Sequence, residues 1–198
     1  MSSKRRTRIL LIQGHPDPES YCSALAESYK QGALSSGAEV EEIVVAALDF
    51  NPNLRYGYRK RTDLEPDLLE AQRLIQWSEH IVLVHPVWWG SVPALLKGFL
   101  DRTFLPGFAF QKHEGSLTRW DKLLKGRSAH IIATADQPAW FYRLRYNRPS
   151  HHMLKGLLFE FCGVRPVKST FLGPLRLSSD AFRERGLEKV YTLGTKRQ

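Results

Sequence analysis

The feature that most constrains the fold is a fivefold alternation of short apolar runs with longer segments of helical periodicity. Each run has the length and continuity of a strand that is buried on both faces of a sheet. The five runs are residues 7–14, 39–45, 80–86, 128–135 and 167–175. The helical segments that follow them are residues 20–37, 65–79, 91–104, 151–163 and 179–194.

Alternation of this kind predicts parallel βαβ units with helices on both faces of one sheet. Five units favour an α/β, flavodoxin-like three-layer sandwich whose five-stranded parallel sheet has the order 2-1-3-4-5. Ligands of such sheets bind beyond the carboxyl ends of the strands, where strands 1 and 3 diverge. The sequence therefore predicts a place for the functional site as well as a fold.

No linker divides the chain, and its length suits one domain. We expect residues 1–198 to form a single flavodoxin-like domain, with residues 1–7 as a disordered basic N-terminus. No apolar stretch approaches the roughly 20 residues of a membrane span, and the run that begins at Ile9 is shorter than a signal-peptide core. Cys22 and Cys162 lack the spacing of a zinc site. We therefore expect a cytoplasmic protein with reduced thiols, no metal and no stable membrane insertion.

The formal net charge of +9 raises the question of a nucleic-acid partner. The lysines and arginines are scattered among acidic residues, and no DNA- or RNA-binding motif accompanies them. We therefore expect no nucleic-acid partner. Electrostatic attraction of an anionic ligand such as a dinucleotide accounts for a basic chain equally well.

Boundary signals refine the predicted helices. Ser20 is the candidate N-cap of the first helix, and Pro66 stands in the first turn of the second. For the third helix the candidate N-cap is Ser91, with Pro93 in the first turn. Residues 46–64 are polar, aromatic and rich in turn formers, which predicts a long excursion of the kind that often carries function.

Three loops are expected to converge at the switch point, namely those after the first, third and fourth strands. They combine many aromatic residues with a few polar ones, which is typical of a ligand pocket. The first loop leads into a helix N-terminus and favours phosphate at residues 15–22, while the turn at 86–90 suits a flat ring. That loop has neither a GxGxxG nor a GxxxxGK[ST] pattern, so neither a Rossmann site nor a P-loop is supported. A flavin, which joins a flat ring to a phosphate, is the natural candidate.

Four stretches extend this argument, namely ILLIQGHPDPES, EVEEIVVAALDFNP, PVWWGSVPALLKGFLDRTFLPGFAF and FEFCG. In this order they resemble the NAD(P)H:quinone oxidoreductases of the flavodoxin-like superfamily, the group of DT-diaphorase and the modulator of drug activity B proteins. The resemblance implies a flavoprotein enzyme that binds FAD, with FMN as the alternative, and takes NAD(P)H as co-substrate. It also implies a homodimer with flavin sites at the interface.

Matched position by position, the resemblance implies three groups of cofactor contacts. The residues near the phosphates are His15, Ser20, Tyr21 and Cys22. The residues beside the flavin ring are Pro86, Val87, Trp88, Trp89 and Gly90. The fourth-strand contacts are Thr134, Ala135, Asp136 and Gln137, which stand where the family often has Thr-Thr-Gly-Gly. Close approach of the backbone to the flavin is therefore less favoured at this last segment.

The family's catalytic tyrosine and histidine follow that fourth-strand segment, and spacing alone does not select them. The candidates are Tyr142, Tyr146, His151 and His152. Aromatic side chains that could wall a slot for flat substrates are Trp140, Phe141 and Phe108.

The expected reaction is a ping-pong hydride transfer through flavin N5, from NAD(P)H to a quinone or similar flat acceptor. Backbone N–H groups around residues 88–90 are expected to bond the polar edge of the ring, and a tyrosine or histidine from 142–152 to assist proton transfer. One alternative is an ancillary flavoprotein of a potassium efflux system, which some relatives resemble. A one-electron flavodoxin carrier is disfavoured, because flavodoxins are generally acidic and have a Thr/Ser-rich phosphate loop.

Ordinary structural roles compete with some assignments. One ring of the tryptophan pair at 88–89 is expected to pack against the third helix. His85 is expected to be a satisfied structural histidine, and Asp101 with Arg102 a structural ion pair. The apolar, loop-like segment 104–110 is hard to bury in a monomer, so we expect it to form the interface of a homodimer with quinone reductase activity.

Overall fold

A computed structural model describes residues 6–197. Its strands are β1 (Arg8–Gln13), β2 (Glu39–Val44), β3 (His80–Pro86), β4 (Phe110–Lys112), β5 (Trp120–Lys122), β6 (Ser128–Thr134) and β7 (Val167–Leu172). Its helices are α1 (Tyr21–Ser35), α2 (Pro66–Trp77), α3 (Ala94–Thr103), α4 (Ala139–Tyr146), α5 (Pro149–His152) and α6 (Asp180–Thr195). A 3₁₀ turn (Val45–Ala47) follows β2, and α5 continues as a π-helix (Met153–Glu160). Most of the predicted disordered N-terminus, residues 1–5, lies outside the described residues.

The main sheet has the order β2-β1-β3-β6-β7, and all of its neighbouring strands are parallel. Since β6 and β7 are the fourth and fifth strands of this sheet, the predicted order 2-1-3-4-5 is confirmed. The central strand β3 is buried at every position. Its uninterrupted apolar sequence follows from helices that cover both faces.

Two hydrophobic clusters lie on opposite faces of the sheet. Leu10 and Ile12 of β1 face the cluster formed with α2, α3 and the π-helix. Ile9 and Leu11 face the cluster formed with α1 and α6. Successive side chains of a strand point to opposite faces, so one short apolar run contributes to both clusters.

The sequence analysis missed two elements. Strands β4 and β5 form an antiparallel hairpin, and α4 occupies the loop that follows β6. Within the described residues no helix is long and apolar enough to cross a membrane, and no three His, Cys, Asp or Glu side chains group as metal ligands.

Two helix starts differ in their agreement with the predictions. Ser20 caps α1 as predicted, since its Oγ accepts the Ser23 N–H at 3.3 Å. The prediction that Ser91 caps the third helix was wrong, because Pro93 is the N-cap of α3. Ser91 instead exchanges backbone hydrogen bonds with Trp88 and closes the turn that precedes the helix.

The predicted ion pair between Asp101 and Arg102 was also wrong. Asp101 pairs with Lys97, one helical turn earlier, at 2.6 Å. Arg102 points to the opposite side, where it is buried and contacts the Glu65 carboxylate at 2.7 Å. Adjacent residues on a helix do not face each other, so neighbours in sequence rarely pair.

The premise of the predicted interface at 104–110 was wrong. Phe104, Ala109 and Phe110 are buried within the chain, in the cluster of α2 and α3. Phe108 is half-buried against the same cluster. The hairpin β4–β5 covers these apolar side chains, which a simple loop would leave exposed. The apolar composition of the segment is therefore not a reason to expect a dimer interface there.

Candidate functional site

The ends of β1, β3 and β6 form a pocket at the predicted switch point. The pocket has a volume of about 240 Å³. It is lined by His15, Ser20, Tyr21, Cys22, Pro86, Val87, Trp88, Thr134, Ala135, Asp136, Gln137 and Leu175. We call it the phosphate cradle. Of the thirteen residues proposed as cofactor contacts, only Trp89 and Gly90 lie outside this lining.

The N-terminus of α1 borders the cradle and brings to it groups that favour anions. The first N–H groups of α1, including those of Tyr21 and Cys22, have no partner within the helix. The helix dipole adds positive potential at the same place. A phosphate is the anion that suits a cluster of such donors.

His15 is held as a neutral hydrogen-bond donor at the edge of the cradle. Its Nδ1 accepts the Asp17 N–H at 3.0 Å, so the ring proton belongs on Nε2. Burial lowers the pKa of His15, although the neighbouring Asp17 opposes this. The imidazole is therefore neutral at pH 7 and can donate from Nε2.

The tryptophan pair lies in the turn that joins the end of β3 to α3. Trp88 and Ser91 flank this turn, and Trp89 and Gly90 are its two central residues. The Trp88 N–H donates to the Ser91 carbonyl at 3.0 Å, and the Ser91 N–H donates back at 2.9 Å. Trp89 and Gly90 both have positive φ, 52° and 76°, which is the type I′ combination. A Cβ at Gly90 would lie 3.1 Å from Pro149, so glycine also allows this close approach.

Neither tryptophan ring packs in the core, and the prediction that one packs against the third helix was wrong. Trp88 is 44% exposed and meets the His15 ring edge-on at 5.5 Å between centroids. Trp89 is fully exposed. Both rings are held at the surface by the turn rather than by packing.

The backbone donors of this turn are only partly free. Val87 N–H donates to the Thr134 carbonyl at 2.7 Å, and Trp88 N–H is used within the turn. A two-residue turn leaves the N–H groups of its central residues, here Trp89 and Gly90, pointing away from the ladder. Of the backbone N–H groups expected to contact the edge of a bound ring, only those of Trp89 and Gly90 therefore remain available.

Next to the cradle lies an open groove with a volume of about 620 Å³. It is lined by Val87, Trp88, Trp89, Gly90, Gln137, Tyr142, Tyr146 and Pro149. Three of these residues, Val87, Trp88 and Gln137, also line the cradle, so the two spaces adjoin. We call it the aromatic groove.

Comparison with known proteins identifies the family. The family described as Flavodoxin-like fold, Flavodoxin_2, matches residues 7–192. The chain belongs to the Flavodoxin_2 family. The resemblance to NAD(P)H:quinone oxidoreductases is thereby confirmed at the level of the family.

Relatives of this Flavodoxin_2 protein carry oxidoreductase names. An uncharacterized NAD(P)H oxidoreductase of Haemophilus influenzae is 28% identical, with 90% of each chain covered. The ribosyldihydronicotinamide dehydrogenase [quinone] of Rattus norvegicus is 28% identical over 52% of this chain and 53% of its own length, so the chain spans about half of that relative. The crystal structure of Smu.1420 from Streptococcus mutans has a TM-score of 0.82 at 26% identity, and covers 96% of this chain and 100% of that one.

Two of the predicted catalytic residues lie at the aromatic groove, in different environments. Tyr142 is buried, stacks on Phe171 at 5.0 Å, and shares a 2.7 Å hydrogen bond with the Ser150 hydroxyl. The Ser150 N–H also donates to the Tyr142 oxygen, at 3.2 Å. Tyr146 is 51% exposed. The Tyr142 hydroxyl is therefore fixed in place, whereas the Tyr146 side chain faces solvent.

The other candidates are further from the groove. Trp140 packs on Phe141, and Phe141 packs on Tyr146, all edge to face, so they form an aromatic cluster that reaches the groove only through Tyr146. His151 lines a separate inner cavity behind Tyr142. Phe108, proposed as a substrate contact, is on the α3 face of the core and is not brought to the groove within this chain.

Cys22 and Thr134 close the floor of the cradle. The Cys22 Sγ lies 3.2 Å from the Thr134 hydroxyl, and burial raises the pKa of Cys22 to about 11. The thiol therefore stays protonated and adds no negative charge beside an anion. Asp136 does carry a carboxylate, but one of its oxygens accepts the Arg176 N–H at 3.1 Å.

Two lining residues escaped the sequence analysis. Leu175 borders the cradle, and Pro149 borders the groove. Pro149 follows Asn147 and Arg148, which both have positive φ and so reverse the chain after α4. The Asn-Arg-Pro sequence was the available signal, since asparagine favours the left-handed region and proline the first turn of a helix.

The arrangement fits a flavin mononucleotide moiety. The cradle supplies the His15 Nε2–H and helix N–H donors that a phosphate requires, and the groove supplies aromatic faces for a flat ring. Free N–H groups at Trp89 and Gly90 suit the acceptors on the ring edge. The combined space, an anion site opening into an aromatic groove, is typical of a cofactor pocket.

Proposed function

We propose that this protein is a flavin-dependent NAD(P)H:acceptor oxidoreductase that reduces quinones or similar flat compounds. The observation that carries the proposal is the adjoining phosphate cradle and aromatic groove at the β1–β3 switch point. The oxidoreductase names of the relatives support the reaction class. When bound, the flavin supplies hydride acceptance from NAD(P)H and two-electron transfer to the acceptor.

The chain's own residues bind the flavin and orient its ring. His15 and the start of α1 hold the phosphate, which fixes the ring relative to the groove. Trp88 and Trp89 offer flat faces for the ring and for the substrate. If NAD(P)H and the acceptor use the same face of the ring in turn, a ping-pong order follows.

For proton transfer, the contacts favour Tyr146 over Tyr142. The Tyr142 hydroxyl is already engaged with Ser150, so its role is to wall the groove in a fixed position. Tyr146 lines the groove with an exposed side chain that can exchange protons with solvent. His151 lies behind Tyr142 and is no longer preferred as a catalytic residue.

The test begins with the purified full-length protein. We expect bound flavin, visible as yellow colour, and oxidation of NADH or NADPH with menadione as acceptor. Replacing His15 by Phe should raise the dissociation constant for flavin about 10- to 100-fold, the effect of losing one hydrogen bond to a charged group. His113→Phe, a change to an exposed histidine on the hairpin, is the matched control. A protein that binds neither FMN nor FAD contradicts the proposal.

For the cofactor we propose FMN rather than FAD. The cradle adjoins, through Ser20, a cleft of about 490 Å³ with room for the adenosine monophosphate part by which FAD exceeds FMN. Glu19, Glu27 and Glu42 line this cleft. No lysine or arginine is among its lining residues, and Lys30 beside it is engaged with Glu42 at 2.7 Å. Carboxylates of this number disfavour a second phosphate.

Chromatography of the released flavin tests this choice, and the titrated affinities of the apoprotein for FMN and FAD test its cause. We expect FMN to bind more tightly, and Glu27→Gln together with Glu42→Gln to narrow the preference. Glu188→Gln on the exposed face of α6 is the control. Bound FAD as the only released flavin contradicts the assignment without affecting the proposed reaction.

We also propose a homodimer, formed at the rim of the groove instead of the buried segment 104–110. Large apolar side chains are exposed at the groove and on the adjoining helix α4, namely Trp89, Trp140 and Leu144. Such clustering is typical of an interface. Sedimentation should give a dimer that Leu144→Glu weakens. A monomeric protein that retains flavin contradicts this assembly.

A further inference from the structure

An inner cavity lies behind Tyr142, on the side away from the aromatic groove. Its volume is about 220 Å³, and its walls are mainly apolar, with Ile131, Ala133 and Phe171 among them. Tyr142 borders both this cavity and the groove. Nothing in the proposed oxidoreduction uses the cavity.

Two residues of the cavity wall, His85 and Arg148, each have a buried side-chain nitrogen without a hydrogen-bond partner within the described residues, and His85 Nε2 is the one that can accept. His85 is completely buried, and its Nδ1 lies 2.9 Å from the Pro86 carbonyl. A carbonyl can only accept, so Nδ1 carries the proton and Nε2 is a lone-pair acceptor. That Nε2 is buried without a partner. The expectation that His85 is a satisfied structural histidine was therefore wrong for one of its two nitrogens.

No hydroxyl group of the wall, whether of Ser150, Ser169 or Thr170, is within hydrogen-bond distance of His85 Nε2. The Ser150 hydroxyl is bonded to Tyr142, and the Thr170 hydroxyl is bonded to His130 at 2.9 Å. His85 therefore presents an acceptor to a mainly apolar space. An unpaired buried acceptor is costly, and a ligand that donates one hydrogen bond would remove that cost.

We propose that the cavity is a binding site for a small monocyclic phenol. The hydroxyl of the phenol donates to His85 Nε2, and its ring packs against Ile131, Ala133 and Phe171. A cavity of about 150 Å³ suffices to hold benzene in a protein core, so the present one accommodates a ring with one polar substituent. Arg143 and Arg148 at the wall disfavour cationic ligands.

The cavity and the groove share Tyr142, so the site has a functional consequence. A phenol in the cavity contacts the face of the side chain that walls the groove. Reduction of a quinone yields a hydroquinone, which is itself a phenol. The site is argued from the cavity alone, however, and stands whether or not the protein reduces quinones.

The test compares phenol with toluene, which matches its shape but lacks the hydroxyl. Titration calorimetry on the full-length protein as purified should show phenol binding at least tenfold more tightly than toluene. His85→Leu should abolish this preference while leaving toluene binding intact. Equal affinities for the two ligands, or binding of neither, would overturn the proposal.

A second measurement needs no substitution in the core. In the ¹⁵N NMR spectrum the resonance of His85 Nε2 should shift on addition of phenol and remain unchanged with toluene, because only phenol donates a hydrogen bond. Tyr146→Phe serves as control, since it alters the groove but not the cavity. A phenol titration that perturbs groove resonances and leaves His85 unchanged would assign phenol to the groove and refute the inner site.

Discussion

Replacing Arg102 by Met should detach the 46–64 excursion from the domain. Arg102 is buried, and its guanidinium binds the excursion at Asn51 and Asp63 and the residue that follows it, Glu65. One terminal nitrogen donates to the Asn51 carbonyl. The other donates to the Asp63 carbonyl at 3.0 Å and to the Glu65 carboxylate at 2.7 Å. Methionine preserves the apolar stem but none of these donors.

The cost follows from what the substitution leaves behind. Two carbonyl oxygens lose their donor and the partly exposed Glu65 carboxylate loses its counter-charge, which costs about 1.5–3 kcal/mol of the free energy of unfolding, the value of hydrogen bonds to charged groups. Burial by itself would raise the pKa of Glu65, but hydrogen bonds from Asn51 N–H, its own N–H and Arg102 lower it. Because the folded-state pKa is the lower one, this stabilisation is present above the unfolded value, about 4.3, and is lost as the pH falls through the folded one.

Urea unfolding followed by tryptophan fluorescence measures the loss, and limited trypsin digestion locates it. We expect the variant to be cleaved faster at the basic stretch 55–61, which the excursion carries. Arg73→Met is the matched control, since Arg73 forms only an exposed pair with Glu70, and no resolvable change is expected. A cost below about 1 kcal/mol at Arg102, or unchanged cleavage at 55–61, refutes the reasoning.

Three further predictions concern the site and the core. Cys22 and Cys162 should resist thiol reagents at pH 8 until the protein unfolds, because burial raises their pKa values to about 11 and about 12; a fast-reacting thiol in the native protein contradicts this. Gly90→Ala should lower the free energy of unfolding by about 1–2 kcal/mol and weaken flavin binding, because the φ of Gly90 is 76°. Gly156→Ala, at a helical position with open space around it, should not destabilise the protein. Unfolding midpoints and flavin titrations test both expectations. Burial lowers the pKa values of His85 and His130 to about 4, so both contribute to a fall in the unfolding free energy between pH 6.5 and pH 4. The part due to His85, about 3 kcal/mol, should be missing in His85→Leu; equal pH profiles of variant and wild type contradict it.

The main sheet was predictable because it is built from signals that are local. A continuous apolar run such as 80–86 indicates a strand that is covered on both faces of a sheet. The right-handed crossover between parallel strands then restricts how such strands can be connected. The hairpin β4–β5 was missed because its strands have three residues each and alternate with charged side chains. Helix α4 was missed because its eight residues, between Pro138 and Asn147, carry no clear apolar stripe.

The location of the site was predictable, while its contacts were not. Topology brings the ends of β1, β3 and β6 together whatever residues they carry, so a list chosen from those ends recovers most of the cradle. Hydrogen-bond partners depend on the three-dimensional arrangement instead. That Val87 N–H bonds Thr134, and that Tyr142 bonds Ser150, depends on contacts across segments that no spacing rule encodes.

The fully exposed position of Trp89 points to a surface that is complete only when it is covered. A left-handed conformation costs a non-glycine residue about 1–2 kcal/mol, and exposure of the ring forgoes burial that is worth about 4–6 kcal/mol for 150–250 Å² of apolar surface. Within one chain neither the conformational cost nor the lost burial free energy is offset, since Trp89 packs on nothing in the core. Covering the ring with a flavin, an acceptor or a second subunit would supply the burial free energy, which is the larger of the two. The strain in the turn is therefore smaller than the free energy that covering the ring would supply, which is the physical basis for expecting Trp89→Ala to weaken whichever contact covers it.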